Sequence, residues 1–293
     1  GMCNSTNSSP MLANVTFSSN TANYCGGGMY NVWSNPILTD VAFYNNMSTY
    51  DGGGMNNYQS SPTLTNVIFS GNAASSGGGI YNTYSNPTMM NVTISGNTAG
   101  YDGGGVYNNR SSPSMTNITF NGNIATSGGG MYNYYESSTP VIKNAILWGN
   151  RATNGTEIYN NASTPTISSS DVQGCGGSGE GWVSACGTDG GGNIDADPLL
   201  GALGAYGGGT QTMPLLPGSA AIDSGNDTSC PATDQRGITR PQGAHCDMGA
   251  YESRGFTLTK TSGDKQGAPV NTTFANPLVV SVSSASGDPV DGG

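Results

Sequence analysis

Gly-Gly-Gly triplets begin at Gly26, Gly52, Gly77, Gly103 and Gly128, so the chain repeats itself every 25 or 26 residues. Between triplets the same text returns: Gly-Gly-Gly-Met-Tyr-Asn, then Ser-Asn-Pro or Ser-Ser-Pro, then Leu-Thr-Asn-Val-x-Phe-Ser-Gly-Asn. A period of this size describes stacked supersecondary units that share their core with their neighbours. It excludes a single globular core.

Pro36 to Asn46 serves as one unit. Alternation puts Leu38 and Asp40 on one face, then Val41 and Phe43 on one face. The phase slips between residues 40 and 41, so both apolar pairs stay inward only if the chain bends there. The same positions return as Leu64, Asn66, Val67, Phe69 and as Met115, Asn117, Ile118, Phe120. The Gly triplet marks a second bend, where a Cβ is excluded. Met29, Ile80, Val106 and Met131 then open a third inward strand, with Tyr outward and Asn at the next bend. Three short strands and three bends per turn predict an all-β, right-handed parallel β-helix.

Columns of asparagine support stacking. Asn14, Asn66, Asn91, Asn117 and Asn144 share one corner; Asn31, Asn57, Asn82, Asn108, Asn133 and Asn160 share another; Asn20, Asn46, Asn72, Asn97, Asn123 and Asn150 share a third. With rungs roughly 4.8 Å apart, identical inward amides hydrogen-bond along the stack. The expected role of these residues is to build the coil.

Only 9% of residues are charged, and the net charge of −10 comes mainly from the end of the chain, thirteen of the eighteen acids following Ser170. Nucleic-acid binders need clustered Lys and Arg, so that class is excluded. Docking to an anionic membrane is disfavoured for the same reason, and no apolar run is long enough to span one. Six cysteines fall into local pairs, Cys3 with Cys25, Cys175 with Cys186 and Cys230 with Cys246. Without CxxC spacing and with a single His, they read as disulfides of an extracellular or cell-surface protein. The chain opens inside a repeat, since Gly1-Met2-Cys3-Asn4 aligns with Gly28-Met29-Tyr30-Asn31, and so reads as a piece of something larger.

The repeat resembles the bacterial surface β-helix repeats that carry a Gly-Gly-x-aliphatic motif and an x-Phe-x-x-Asn motif, as in polymorphic outer-membrane proteins and pectin-lyase-like folds. Here these read Gly78-Gly79-Ile80 and Phe69-Ser70-Gly71-Asn72. The resemblance covers residues 1–170 and implies a fold without an activity. From 171 to 253 the rhythm changes. Asn193 to Leu199, Pro217 to Gly225, Asp234 to Pro241 and Cys246 to Glu252 are similar to the carboxy-terminal region of bacterial choice-of-anchor Q proteins. That likeness implies secretion or surface display. Residues 254–293 alternate at period two and resemble the first strands of a bacterial Ig-like module.

Asp195, Asp197, Asp223, Asp227, Asp234 and Asp247 are the candidates for calcium ligation, through hard carboxylate oxygens. The competing expectation is that they cap turns, pair with Arg236 and Arg240, and close the open end of the helix. The Cys175–Cys186 loop is expected on the surface of a late rung.

β-Helices also carry polysaccharide lyases and hydrolases, whose chemistry needs a base beside clustered acids or two carboxylates at a set separation. Among the repeats the only cations are Arg110, Lys143 and Arg151. Asp51 and Asp102 share a repeat position two rungs apart, with Ser76 between them. No catalytic residue is assigned, no cofactor beyond calcium is called for, and His245 is read as a loop residue. Tyr30, Tyr81, Tyr107, Tyr132 and Tyr159 recur at one outward position, with Trp33, Tyr58, Tyr84 and Tyr135 near them. Such aromatics stack on sugar rings, pack against another chain, or stabilise their own face. Among eleven Asn-x-Ser/Thr sequons, Asn4, Asn7, Asn46, Asn109, Asn154, Asn161, Asn226 and Asn271 are the candidates for glycosylation.

The expected function is a non-enzymatic structural or adhesive surface protein. Its expected partner is itself, in a head-to-tail filament or surface array whose tail bridges neighbours. The alternative is a polysaccharide-binding or lyase-like β-helix.

Overall fold

A computed structural model describes residues 1–135 and 137–293. It is a parallel β-solenoid of about seven turns. One sheet contains seven parallel strands: Met2–Ser5, Met29–Val32, Met55–Tyr58, Ile80–Thr83, Val106–Asn109, Met131–Tyr134 and Ile158–Asn161. Their register pairs like with like, Asn31 beside Asn57 and Tyr81 beside Tyr107. A second sheet has thirteen short strands, and a third has four, the last being Ala73–Ser76 and Thr98–Asp102.

The turn has four left-handed positions where the sequence suggested three bends. One column holds Asp40, Asn66, Asn91, Asn117 and Asn144, near φ 50° throughout; another holds Ser19, Asn45, Gly71, Gly96, Gly122 and Gly149. The first glycine of each triplet forms a third, and Asn7, Trp33, Gln59, Tyr84, Arg110, Tyr135 and Ala162 form the fourth. Asn and Gly suit this region because αL costs them least. At Gly26 a side chain is also sterically excluded, because a Cβ would overlap the carbonyl oxygen of Met29.

Inside, Met29, Leu38, Val41, Phe43 and their repeats form one buried column of apolar side chains, with Phe17, Phe43 and Phe69 stacked at 5.0 and 4.6 Å. Two amide ladders are inward as expected. Along the series Asn4, Asn31, Asn57, Asn82, Asn108, Asn133, Asn160, each Nδ2 before the last donates to the next Oδ1 at 2.8–2.9 Å. Asn20, Asn46, Asn72, Asn97, Asn123 and Asn150 do the same. A serine column escaped the sequence reading: Ser60, Ser85, Ser111 and Ser138 each accept, at Oγ, the backbone N–H of the serine one rung before, beginning with Ser34.

The Asn14 column differs. Its αL backbone turns the amides outward, so Asn14 is exposed, while Asn91, Asn117 and Asn144 are buried by a later segment. Asn91 donates to the Thr233 carbonyl, Asn117 to those of Asp247 and Gly249, and Asn144 to that of Asn226.

That later segment, residues 199–252, lies along the outer face of the second sheet. Thr93 Oγ1 donates to Gln235 Oε1 at 2.6 Å, and Ala250 N donates to Thr119 Oγ1. Ile146, Leu215, Ala221 and Met248 form a second small core beneath it. The segment is therefore a lateral strap, and the expectation that it closes the open end is corrected. End closure falls to the loop held by the Cys175–Cys186 disulfide. Both cysteines join the main core, Trp182 packs against it, and the Ala185 carbonyl accepts from Asn160 Nδ2.

Residues Thr257–Ser262 and Val279–Ser283 pair as an antiparallel hairpin. Asp288 beyond it is buried in the strap, accepting from Tyr251 Oη and from Arg254.

Candidate functional site

The strap covers the second sheet, and aromatic side chains reach solvent along the first sheet and at a separate corner beside the third, where Tyr24, Tyr50 and Tyr101 are exposed. Along one outward column of the first sheet, Tyr81 and Tyr107 stack at 4.6 Å, Tyr107 and Tyr132 at 5.0 Å, and Tyr132 and Tyr159 at 5.3 Å, all near parallel. Tyr107 and Tyr132 are buried, and Tyr30 and Tyr81 half-buried. Burial pushes the Tyr107 hydroxyl well above the usual phenol range. Tyr107 and Tyr132 are covered by a ring on both faces and Tyr81 and Tyr159 on one, so the ladder stabilises its own sheet.

Beside it runs a more open ribbon. Trp33, Tyr84 and Tyr135 are exposed at 54%, 47% and 37%. Tyr58 meets Trp33 at 6.4 Å and Tyr84 at 6.5 Å, edge to face in both cases. The Arg110 guanidinium lies 5.4 Å from the Tyr84 ring and 3.8 Å from the Tyr135 ring, and Nη1 donates to Tyr84 Oη.

At the last rung the same face ends in an open groove of about 570 Å3, lined by Thr153, Asn154, Tyr159, Asn160, Ser163 and Ser184 among others. Tyr159 is its one ionisable side chain.

Asp51 and Asp102 sit just before their Gly triplets, with Ser76 bridging the rungs between. Burial raises the Asp51 carboxyl to about 6 and that of Asp102 less, Ser127 opposing the latter. His245 Nδ1 lies 2.8 Å from Asp227 Oδ2 on the surface, a pairing the sequence reading missed. The hydrogen bond to Asp227 raises the imidazole.

The six aspartates do not converge. Asp195 accepts from the N–H groups of Gly174 and Gly176, Asp197 from Leu199, Asp223 from His245 and Asp227 from Cys246. Asp234 pairs with Arg236 at 2.7 Å, while Asp247 accepts from the N–H groups of Asp223 and Ser253. These are turn caps and ion pairs. Among the described residues no three His, Cys, Asp or Glu side chains come together as a metal site requires.

Cys175–Cys186 and Cys230–Cys246 are disulfides, whereas Cys3 and Cys25 are free. The third pairing fails because register places Cys3 beside Tyr30, while Cys25 stands in the column of Asp51, across the Gly corner. Asn4 and Asn46 are buried ladder members, which removes them as sequons open to a glycan; Asn109 is half-buried. Asn7, Asn154, Asn161, Asn226 and Asn271 are exposed.

No protein-family model, curated protein or solved structure matches the chain.

Proposed function

We propose that the chain is a non-enzymatic extracellular surface protein, a rigid adhesive scaffold. The observation that carries the proposal is the face of the first sheet: an exposed aromatic ribbon and a groove lined by no acidic or basic side chain among the described residues. Catalysis by acid and base needs a titrating pair within hydrogen-bond reach of one substrate atom. Asp51 and Asp102 stand two rungs apart, and His245 has Asp227 beside it on the far strap. Two disulfides agree with an oxidising environment. The interlocked motifs of residues 193–252 support assignment to the choice-of-anchor Q type, and exposed sequons such as Asn154 and Asn161 support surface glycosylation.

A second reading, self-association through the tail, is favoured by the hairpin. Among the described residues its two strands pair only with each other, and Leu258, Phe274 and Leu278 are more than 60% exposed. Unpaired edges with apolar side chains accept further strands.

Beads coated with the full chain should adhere above albumin-coated controls on a panel of cell, protein-matrix and glycan surfaces, without releasing soluble sugar over time. Adhesion equal to albumin on every surface sinks the adhesive reading. For the second reading, negative-stain images should show end-joined particles that Val280→Lys disperses.

A further inference from the structure

We propose that the ribbon of Trp33, Tyr58, Tyr84, Arg110 and Tyr135 is a binding site for a neutral linear polysaccharide lying parallel to the solenoid axis. This rests on the adhesive reading and names its ligand.

Backbone strain marks the ribbon. Trp33, Tyr84, Arg110 and Tyr135 adopt φ of 48°, 50°, 49° and 70°. Bulky side chains are genuine outliers there, and such strain persists where the surroundings fix it, commonly at functional sites. The fold does not demand these residues: Asn7 and Ala162 occupy the same column at φ 65° and 56°. Large aromatics and an arginine therefore stand where small residues serve the turn equally well.

Geometry supplies the ligand class. In the stacked tyrosine ladder ring faces are covered; in the ribbon the contacts are edge to face, with interplanar angles of 66° and 89°. Trp33, Tyr58 and Tyr84, on three successive rungs, are thus not stacked face to face on one another and stay open to solvent, whereas Tyr135 is engaged by Arg110 at 3.8 Å and by Tyr134 at 4.0 Å and bounds the far end of the ribbon. The apolar C–H face of a pyranose packs on such a ring, and its hydroxyls need polar partners at the rim. Arg110 has donors beyond its bond to Tyr84 Oη, and Gln59 stands in the same column. The depression beside Arg110, about 420 Å3 and bounded by Tyr135, Ser137 and Ala162, is open to solvent, which suits a chain running through more than a small molecule enclosed. Of the five ribbon residues only Arg110 is charged, and it already contacts Tyr84 and Tyr135, so the ribbon lacks the clustered cations that a polyanion needs and suits a neutral chain.

Affinity electrophoresis of the full chain in gels containing hydroxyethyl cellulose, xylan or alginate tests the site. The wild type should be retarded by a neutral polymer. Trp33→Asn and Tyr84→Asn keep a residue type already present in the column, and each should weaken binding about tenfold, the order of one stacked ring. Tyr101→Ser, on a different exposed corner, should bind as the wild type does. Retardation that both ribbon variants retain would overturn the site, and retardation by alginate alone would overturn the neutral ligand. No retardation in any gel overturns the proposal while leaving adhesion to protein or cell surfaces standing.

Discussion

At the scale of single residues, the amide ladders show what repetition requires and what ends it. From Asn46 to Asn123 each Asn of the Asn20 column gives Nδ2 both to the next rung's Oδ1 and to a backbone carbonyl of the preceding rung, so the amides of this ladder are satisfied. The ladder stops at Asn150, because its successor one repeat later is Cys175, which offers no comparable acceptor. Glu157 replaces it. It stands where other rungs place the third glycine, and its carboxylate accepts from Asn150 N at 3.1 Å and from Asn150 Nδ2. Burial raises that carboxyl to about 7 against the hydrogen bonds from Asn150. Glu157→Ala should strand two buried donors and lower stability by about 1–3 kcal/mol in urea titrations, whereas Glu157→Gln keeps an acceptor and should lose less. Equal losses in the two variants would mean that cavity volume, not the unmade hydrogen bond, dominates.

At the scale of elements, the decisive contrast is between rungs and what covers them. Since each rung contacts only its neighbours, terminal units need a closing element. The Cys175–Cys186 loop supplies it at the last rung, and Cys175→Ser with Cys186→Ser should let that end fray. The effect should be local: amides of Ile158–Asn161 and Thr166–Ser168 exchange faster with deuterium, while those of Met55–Tyr58 stay protected. Uniform acceleration would show that the loop stabilises the whole stack instead. The repeat made the rungs legible, because Leu38, Phe43 and Met29 follow period two and Asn31 recurs in register. The strap was not legible. Nothing in the repeat marks Thr93, Thr119 and Ile146 for burial, which comes from strap residues between 212 and 250, far off in sequence. The same gap hid the ribbon's importance. Spacing places Tyr107 and Tyr84 on one face, yet it cannot say which rings cover each other, and that turned on the αL column.

At the scale of the whole molecule, buried carboxylates give the chain a pH dependence of unusual direction. Glu157 is raised from 4.5 to about 7, Asp171 from 3.8 to about 7, and Asp247 from 3.8 to about 8, in each case first by burial. Asp171 Oδ2 is buried without a partner, and Asp195 and Asp197 add repulsion. In the unfolded chain these groups ionise near their ordinary values, so between pH 5 and 8 the folded state holds more protons. Their contribution is complete below the unfolded pKa and is lost as pH rises towards the folded one. For Glu157 the span from 4.5 to about 7 corresponds to roughly 3 kcal/mol at 1.36 kcal/mol per unit. His245, raised by Asp227, acts in the same sense, since its bound proton is lost as pH climbs. Asp227 and Asp288 act oppositely, their hydrogen bonds to His245 and Arg254 holding them low and setting the acid limit below about pH 4. Urea midpoints should therefore be higher at pH 5 than at pH 8, and Glu157→Gln with Asp171→Asn should flatten the slope. The two carboxyls share no partner, Glu157 accepting from Asn150 and Asp171 from Ala196 N, so their effects should add. A midpoint that rises from pH 5 to pH 8 in the wild type would mean that these carboxylates are ionised in the folded chain and that the interior around them is wetter than their burial implies.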